Sequence, residues 1–251
     1  MKRIICKGGG EPVIKDLILN GNGQQRTAIV IGDYTPEEKS WPNWQTFQTW
    51  IKEMDRACHV VTPETTPEEA RTWVASSSVL SIEGGWPDRY QQGVRNMGLV
   101  EPIRDGFLNG GLEEIGGLSA GAMLVCERVR YLDDGDPTPG LNIRAGREPE
   151  HKTAAYKLQE VDGLGLIPRT VMAVHFDNIK GWFFRRKGFF EGTYAFVCLG
   201  DDGIMEVDFD KVEGVYRPVD VRFTGYHKIA FGGKEIDRKR YLELLTTPQT
   251  R

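Results

Sequence analysis

The sequence predicts an α/β fold built on one doubly wound, mostly parallel sheet with helices on both faces. Three observations carry that expectation. Short β-rich apolar runs recur along the 251 residues with helical segments between them, as a parallel sheet covered by crossover helices requires. A Gly-x-Ser-x-Gly stretch stands where one strand-like run gives way to an apolar helical one. Further strand-like runs with Gly-Asp turns follow in the last third of the chain.

Taken in order, residues 3–6, 27–31, 60–61 and 78–82 read as strands. Residues 42–56 carry Trp44, Phe47, Trp50, Ile51 and Met54 at helical intervals, and residues 67–74 open after Thr66, an N-cap with Glu68 and Glu69 in the first turn. Both read as crossover helices. Residues 99–108 form another helix, closed by Asn109-Gly110-Gly111, and residues 112–118 lead as a strand into Ser119. Residues 133–147, rich in Asp, Gly, Pro and Arg, read as a long irregular loop. Beyond it, residues 170–174 form a strand ending at His175, and 194–199, 204–209 and 219–223 read as further strands. With no linker and no repeat, residues 1–251 are expected to form one domain.

Composition narrows the function. Thirty-two Lys and Arg against 36 Asp and Glu leave a net charge of −4, so no whole-chain basic field points to nucleic acid or an anionic membrane. The longest apolar stretches are strand-sized, below the roughly 18 residues of a membrane helix, and the opening turns into glycine too early for a signal peptide. A cytoplasmic protein is expected. Cys6, Cys58, Cys126 and Cys198 are scattered and mostly inside apolar runs, where a reduced cysteine behaves as a small buried hydrophobe. His59, His151, His175 and His227 share no ligand spacing, so neither metal nor cofactor is expected.

The chemistry centres on Gly117-Leu118-Ser119-Ala120-Gly121. In such a nucleophile elbow a strand turns sharply into a helix, and small neighbours are sterically required around the exposed hydroxyl. Ser119 is therefore the candidate nucleophile. Gly84-Gly85 ends the 78–82 strand, whose carboxyl end lies on the same sheet edge as Ser119 in a parallel sheet. The backbone N–H groups of Gly85 and Ala120 are the candidate oxyanion hole. Trp86 and Pro87 follow, either walling the pocket or starting the next helix. His175, again at the carboxyl end of a strand, is the candidate general base: His59 precedes a strand, His151 lies in the polar loop and His227 lies near the C-terminal end.

In their order and spacing, Gly8-Gly9-Gly10-Glu11, Glu83-Gly84-Gly85, Gly117-Leu118-Ser119-Ala120-Gly121-Ala122 and His175-Phe176 resemble the aspartyl dipeptidase (dipeptidase E) and cyanophycinase family of serine peptidases. The resemblance runs nearly the whole chain. It implies a class I glutamine amidotransferase-like fold and a metal-free Ser-His-acid hydrolase. It aligns the acid with Asp201, where the family usually has Glu; Asp202, Asp177 and Asp134 are the rivals. It also implies that basic residues shortly after the histidine hold a substrate carboxylate, here Lys180, Arg185 and Arg186, which otherwise form a solvated helix face. Trp86-Pro87 replaces the polar residue the family often has after the double glycine. The absence of the Asp-Gln of cyanophycinases leans the reading toward a dipeptidase acting on small peptides, with a homo-oligomer left open. An α/β-hydrolase esterase would order its triad Ser, acid, His, and a catalytically silent amidotransferase-like binding module would keep the fold without turnover.

Overall fold

The computed structural model describes residues 1–11, 13, 17, 28–31, 58–61, 64–85, 87–133, 157–175 and 193–247. The strands are β1 (Lys2–Lys7), β2 (Ala28–Ile31), β3 (Cys58–Val61), β4 (Val79–Ile82), β5 (Glu114–Leu118), β6 (Cys126–Asp133), β7 (Lys157–Asp162), β8 (Ile167–Ala173), β9 (Ala195–Leu199), β10 (Ile204–Val212), β11 (Val215–Thr224), β12 (His227–Phe231) and β13 (Lys234–Glu235). The described helices are α1 (Pro67–Ser76), α2 (Pro87–Asn96), α3 (Val100–Leu108), α4 (Ala120–Leu124) and α5 (Arg238–Thr246).

The α/β class and its flanking helices are as the sequence predicts, but the strands divide into two sheets rather than one. A 7-stranded sheet has the order β11-β10-β1-β5-β4-β2-β3, and a 6-stranded sheet the order β13-β12-β9-β8-β6-β7. In the first, β3, β2, β4, β5 and β1 are parallel, and β10 and β11 extend it antiparallel. The division starts at α4, only 5 residues long. The chain leaves it directly into β6, which pairs in parallel with β8 and antiparallel with β7. The β10–β11 hairpin turns through Glu213 and Gly214, both at positive φ, the handedness a two-residue hairpin turn demands.

Period-two alternation sets the two faces of the first sheet. Ile4, Cys6, Ile29, Ile31, Leu80, Ile82 and Ile115 enter the large core, together with Val74 of α1 and Ile103 and Phe107 of α3. Their neighbours Ile5, Val30, Val79 and Leu118 pack on the opposite face with Val13 and Leu17. The second sheet contributes Met172, Val197 and Leu199 to the same large core and turns Val171, Ala173, Phe196 and Cys198 away from it. α1 begins as predicted: Thr66 accepts from the Glu69 backbone N–H, and the Glu69 carboxylate accepts from the Thr66 backbone N–H at 2.9 Å, a capping box. The expected helix at residues 42–56 and the expected loop at 133–147 lie outside the described residues except for Asp133, which ends β6. Among the described residues no helix is long and apolar enough to cross a membrane.

Candidate active site

In each of the two sheets, the registers of the parallel strands bring sequence-predicted residues level with one another at the carboxyl ends of the strands. Lys7 pairs with Leu118 and Ile82 with Gly117, so Ser119 comes level with Gly8 on one side and Gly84 on the other. Ala173 pairs with Cys198, so His175 comes level with Gly200, next to Asp201. All these positions follow the carboxyl ends of β1, β4, β5, β8 and β9, where open α/β sheets gather ligands.

The elbow is built by close approach. A Cβ on Gly117 would stand 2.6 Å from the Ala122 nitrogen, and one on Gly121 only 2.1 Å from the Ile82 carbonyl oxygen. Either would force α4 away from the strands it seats on. Between them Ser119 adopts φ 52°, ψ −113°, a conformation that costs an L-residue about 1–2 kcal/mol. Its N–H donates to the Lys7 carbonyl at 2.9 Å, which pins the strained residue to β1. His175 is also at positive φ, 55°.

Ser119 Oγ lies 2.8 Å from His175 Nε2, and His175 Nδ1 lies 2.5 Å from Asp201 Oδ1. An ionised carboxylate only accepts, so Nδ1 carries the hydrogen toward Asp201, and the Nε2 lone pair faces the serine hydroxyl. Burial is graded along the relay. Ser119 is 7% exposed, whereas the His175 and Asp201 side chains are 29% and 46% exposed. The arrangement is able to take a proton from Ser119 and hold the resulting positive charge beside a carboxylate.

The other predicted residues are distributed around this relay. Gly84 lies against Ser119, since a Cβ on it would be 3.5 Å from the Ser119 Cβ, and its carbonyl accepts from the Tyr90 hydroxyl at 3.2 Å. Gly85 is next in the same turn, and Ala120 is the first residue of α4, where backbone N–H groups lack intrahelical partners. Asp202 points elsewhere: its Oδ1 accepts from the Tyr226 N–H at 3.1 Å. Asp134, Asp177, Trp86, Lys180, Arg185 and Arg186 lie outside the described residues. Pro87 opens α2, the helix-starting role that the sequence left open.

Two structural roles were not read from the sequence, the second that of Glu83, which had entered only as a member of a motif. The Lys7 carbonyl that holds Ser119 is a backbone group with no residue-type signature. Glu83 is fully buried beside the glycine pair, with Oε1 accepting from Ser81 Oγ at 2.5 Å; the signal was the spacing of two that puts both on one face of an extending strand. A groove of about 780 Å³ lined by Arg95, Arg104, Glu127, Asp162 and Pro168 opens at the amino end of β8, roughly 20 Å along the strand from His175, and has no part in this constellation.

No family model matches the chain, and no curated protein matches it. Solved structures do. A peptidase from an acI-B1 Actinobacterium superposes with a TM-score of 0.58 at 14% identity, covering 94% of this chain and 93% of that one. A "Putative Peptidase E Protein" from Listeria monocytogenes EGD-e superposes with a TM-score of 0.53 at 14% identity, covering 89% of this chain and 98% of that one. The fold expected from the motifs is thus met over nearly the full length: the chain has the α/β, class I glutamine amidotransferase-like fold that these two structures share.

Proposed function

We propose that the protein is a serine-type peptidase of the dipeptidase E kind, acting in the cytoplasm on short peptides through an acyl-enzyme on Ser119. The observation that carries this reading is the continuous relay from Ser119 Oγ through His175 to Asp201. The names of the two structural neighbours, a peptidase and a Peptidase E, agree with it.

In the reaction Ser119 Oγ attacks the peptide carbonyl carbon as its proton passes to His175 Nε2. The C–O bond forms, and the carbonyl electrons move onto oxygen. The N–H groups of Gly85 and Ala120 stabilise that oxyanion, while Asp201 stabilises the imidazolium and fixes its tautomer. Collapse breaks the C–N bond as Nε2 gives its proton to the departing amine. Water, deprotonated by the same nitrogen, then releases the acyl group and regenerates the serine. Lys180, Arg185 and Arg186 hold a carboxylate of the substrate, with an N-terminal acidic residue as the preferred group, and Trp86 walls the pocket.

A fluorophosphonate probe tests the nucleophile, with intact-mass and peptide mapping as the readout. Labelling of Ser119 alone is expected, and its loss in Ser119→Ala. A panel of dipeptides and simple esters then tests the class: turnover of peptides, with acidic N-terminal residues preferred, agrees with the proposal. Ester turnover without peptide turnover, or labelling at another serine, overturns it.

A further inference from the structure

Two consecutive residues, the last of β1 and the one after it, grip the two ends of the relay. The Lys7 carbonyl accepts from Ser119 N–H on the β5 side, and Gly8 N–H donates to the Gly203 carbonyl at 2.9 Å on the β10 side. The next residue, Gly9, then passes directly over the acid. A Cβ on Gly9 would stand 2.8 Å from Asp201 Oδ1 and 3.2 Å from the Asp201 Cα. That oxygen is the one bonded to His175 Nδ1 at 2.5 Å.

The loop carrying Asp201 has no room to recede. Gly200 N–H donates to the Tyr226 carbonyl and Gly203 N–H to the Gly200 carbonyl, each at 2.9 Å, and Asp202 accepts from Tyr226 N–H. Gly8 closes the near side, since a Cβ there would come within 1.9 Å of the Gly200 oxygen. With its backbone fixed, the side chain of Asp201 is the part that must yield to any group placed at position 9. Resting on the serine-hydrolase reading above, we propose that Gly9 is a positioning residue for the acid: by lacking a side chain it lets the backbone that follows β1 close over Asp201 and hold Oδ1 on the imidazole. A short aspartate reaches His175 in this site because the glycine loop brings the acid's own loop in.

The test compares wild type, Gly9→Ala, Asp201→Asn and the double variant by peptide kinetics, together with the low-field ¹H NMR signal of His175 Nδ1–H. Displacing Oδ1 by about 1 Å should cost about a hundredfold in kcat, with KM little changed. The double variant should be no slower than Asp201→Asn alone, because both lesions act on one contact. The Nδ1–H signal should be lost or shifted upfield in Gly9→Ala. Multiplying losses, or an unchanged signal, overturns the proposal. Should Gly9→Ala fail to fold, adding Asp201→Gly removes the carboxylate it presses on and should restore thermal stability; a double variant that stays unfolded overturns the proposal, because the clash is then with backbone. The resonance and the thermal melt need no turnover. They therefore judge Gly9 even if wild type hydrolyses nothing, whereas an active Gly9→Ala with wild-type kcat refutes Gly9 and leaves the hydrolase reading standing.

Discussion

Replacing Asp201 by Asn removes the charge beside His175 while keeping the size of the side chain, and its cost follows from the site's geometry. At about 4 Å between charge centres, a carboxylate stabilises an imidazolium by about 4 kcal/mol at an effective dielectric of 20 and by about 1 kcal/mol in bulk water. The Asp201 side chain is 46% exposed and that of His175 29%, so the value falls between these limits. Loss of charge alone should then slow acylation by one to three orders of magnitude. If the Asn amide turns its NH₂ toward Nδ1, the imidazole also takes the wrong tautomer, and the loss approaches the roughly 10⁴ known for buried triads. Pre-steady-state labelling by a fluorophosphonate measures that step directly, and thermal melting verifies that the fold is kept. A variant within about fivefold of wild type, about 1 kcal/mol or less in the barrier, would refute the reasoning and leave Asp201 as a turn residue.

Three further expectations concern thiol reactivity and stability. Burial pushes the Cys58 thiol up to about 11 and the Cys198 thiol to about 12, and raises Cys6 and Cys126 as well; a thiol reagent at pH 8 should therefore leave the fully buried Cys6, Cys126 and Cys198 untouched until the protein is unfolded, with native labelling confined to the part-exposed Cys58, and rapid native labelling of the other three would contradict the packing. Because these groups hold their protons more tightly folded than unfolded, their stabilising effect is complete below the unfolded value of 9.0 and declines as pH rises from there toward the folded values. Denaturant midpoints should fall above about pH 9, and a rise would reverse the sign. Gly93 sits on the exposed side of α2, and a Cβ there meets nothing within 4 Å; Gly93→Ala should stabilise by about 0.5–1 kcal/mol, read by calorimetry, and a lowered Tm would refute it.

The elbow was legible because its geometry is imposed by local sterics. Gly117 and Gly121 meet Ala122 and Ile82 so closely that residue type alone records the contact. His175 was legible by position, at the end of a strand whose parallel register could be anticipated. Asp201 depended on the family resemblance, since the segment packed against it, Gly8 and Gly9, is nearly two hundred residues away. The split into two sheets was hidden for a different reason. β6 carries Arg128 and Arg130 on positions that pair with Asp162 and Glu160 of β7, and these charges obscured the alternation that marks a strand. Cross-strand ion pairs of this kind are a property of two segments together, and neither segment displays them alone.

The central place of β1 has a consequence in time. Its residues pair with β5 and with β10, Arg3 with Glu114 and Lys2 with Phe209, so the first strand made lies between partners made much later. At about 5–20 residues per second, a ribosome needs on the order of ten seconds or more to deliver β10 after β1 has emerged. Until then Ile4, Ile5 and Cys6 offer apolar side chains and an unpaired edge, the combination that invites wrong pairing. The same long loop makes refolding slow, because closure entropy is lost before the strand contacts repay it. The relay cannot close until Gly203 meets Gly8, so a nascent chain that already carries Ser119 and His175 still lacks its third member over the 26 residues that separate His175 from Asp201.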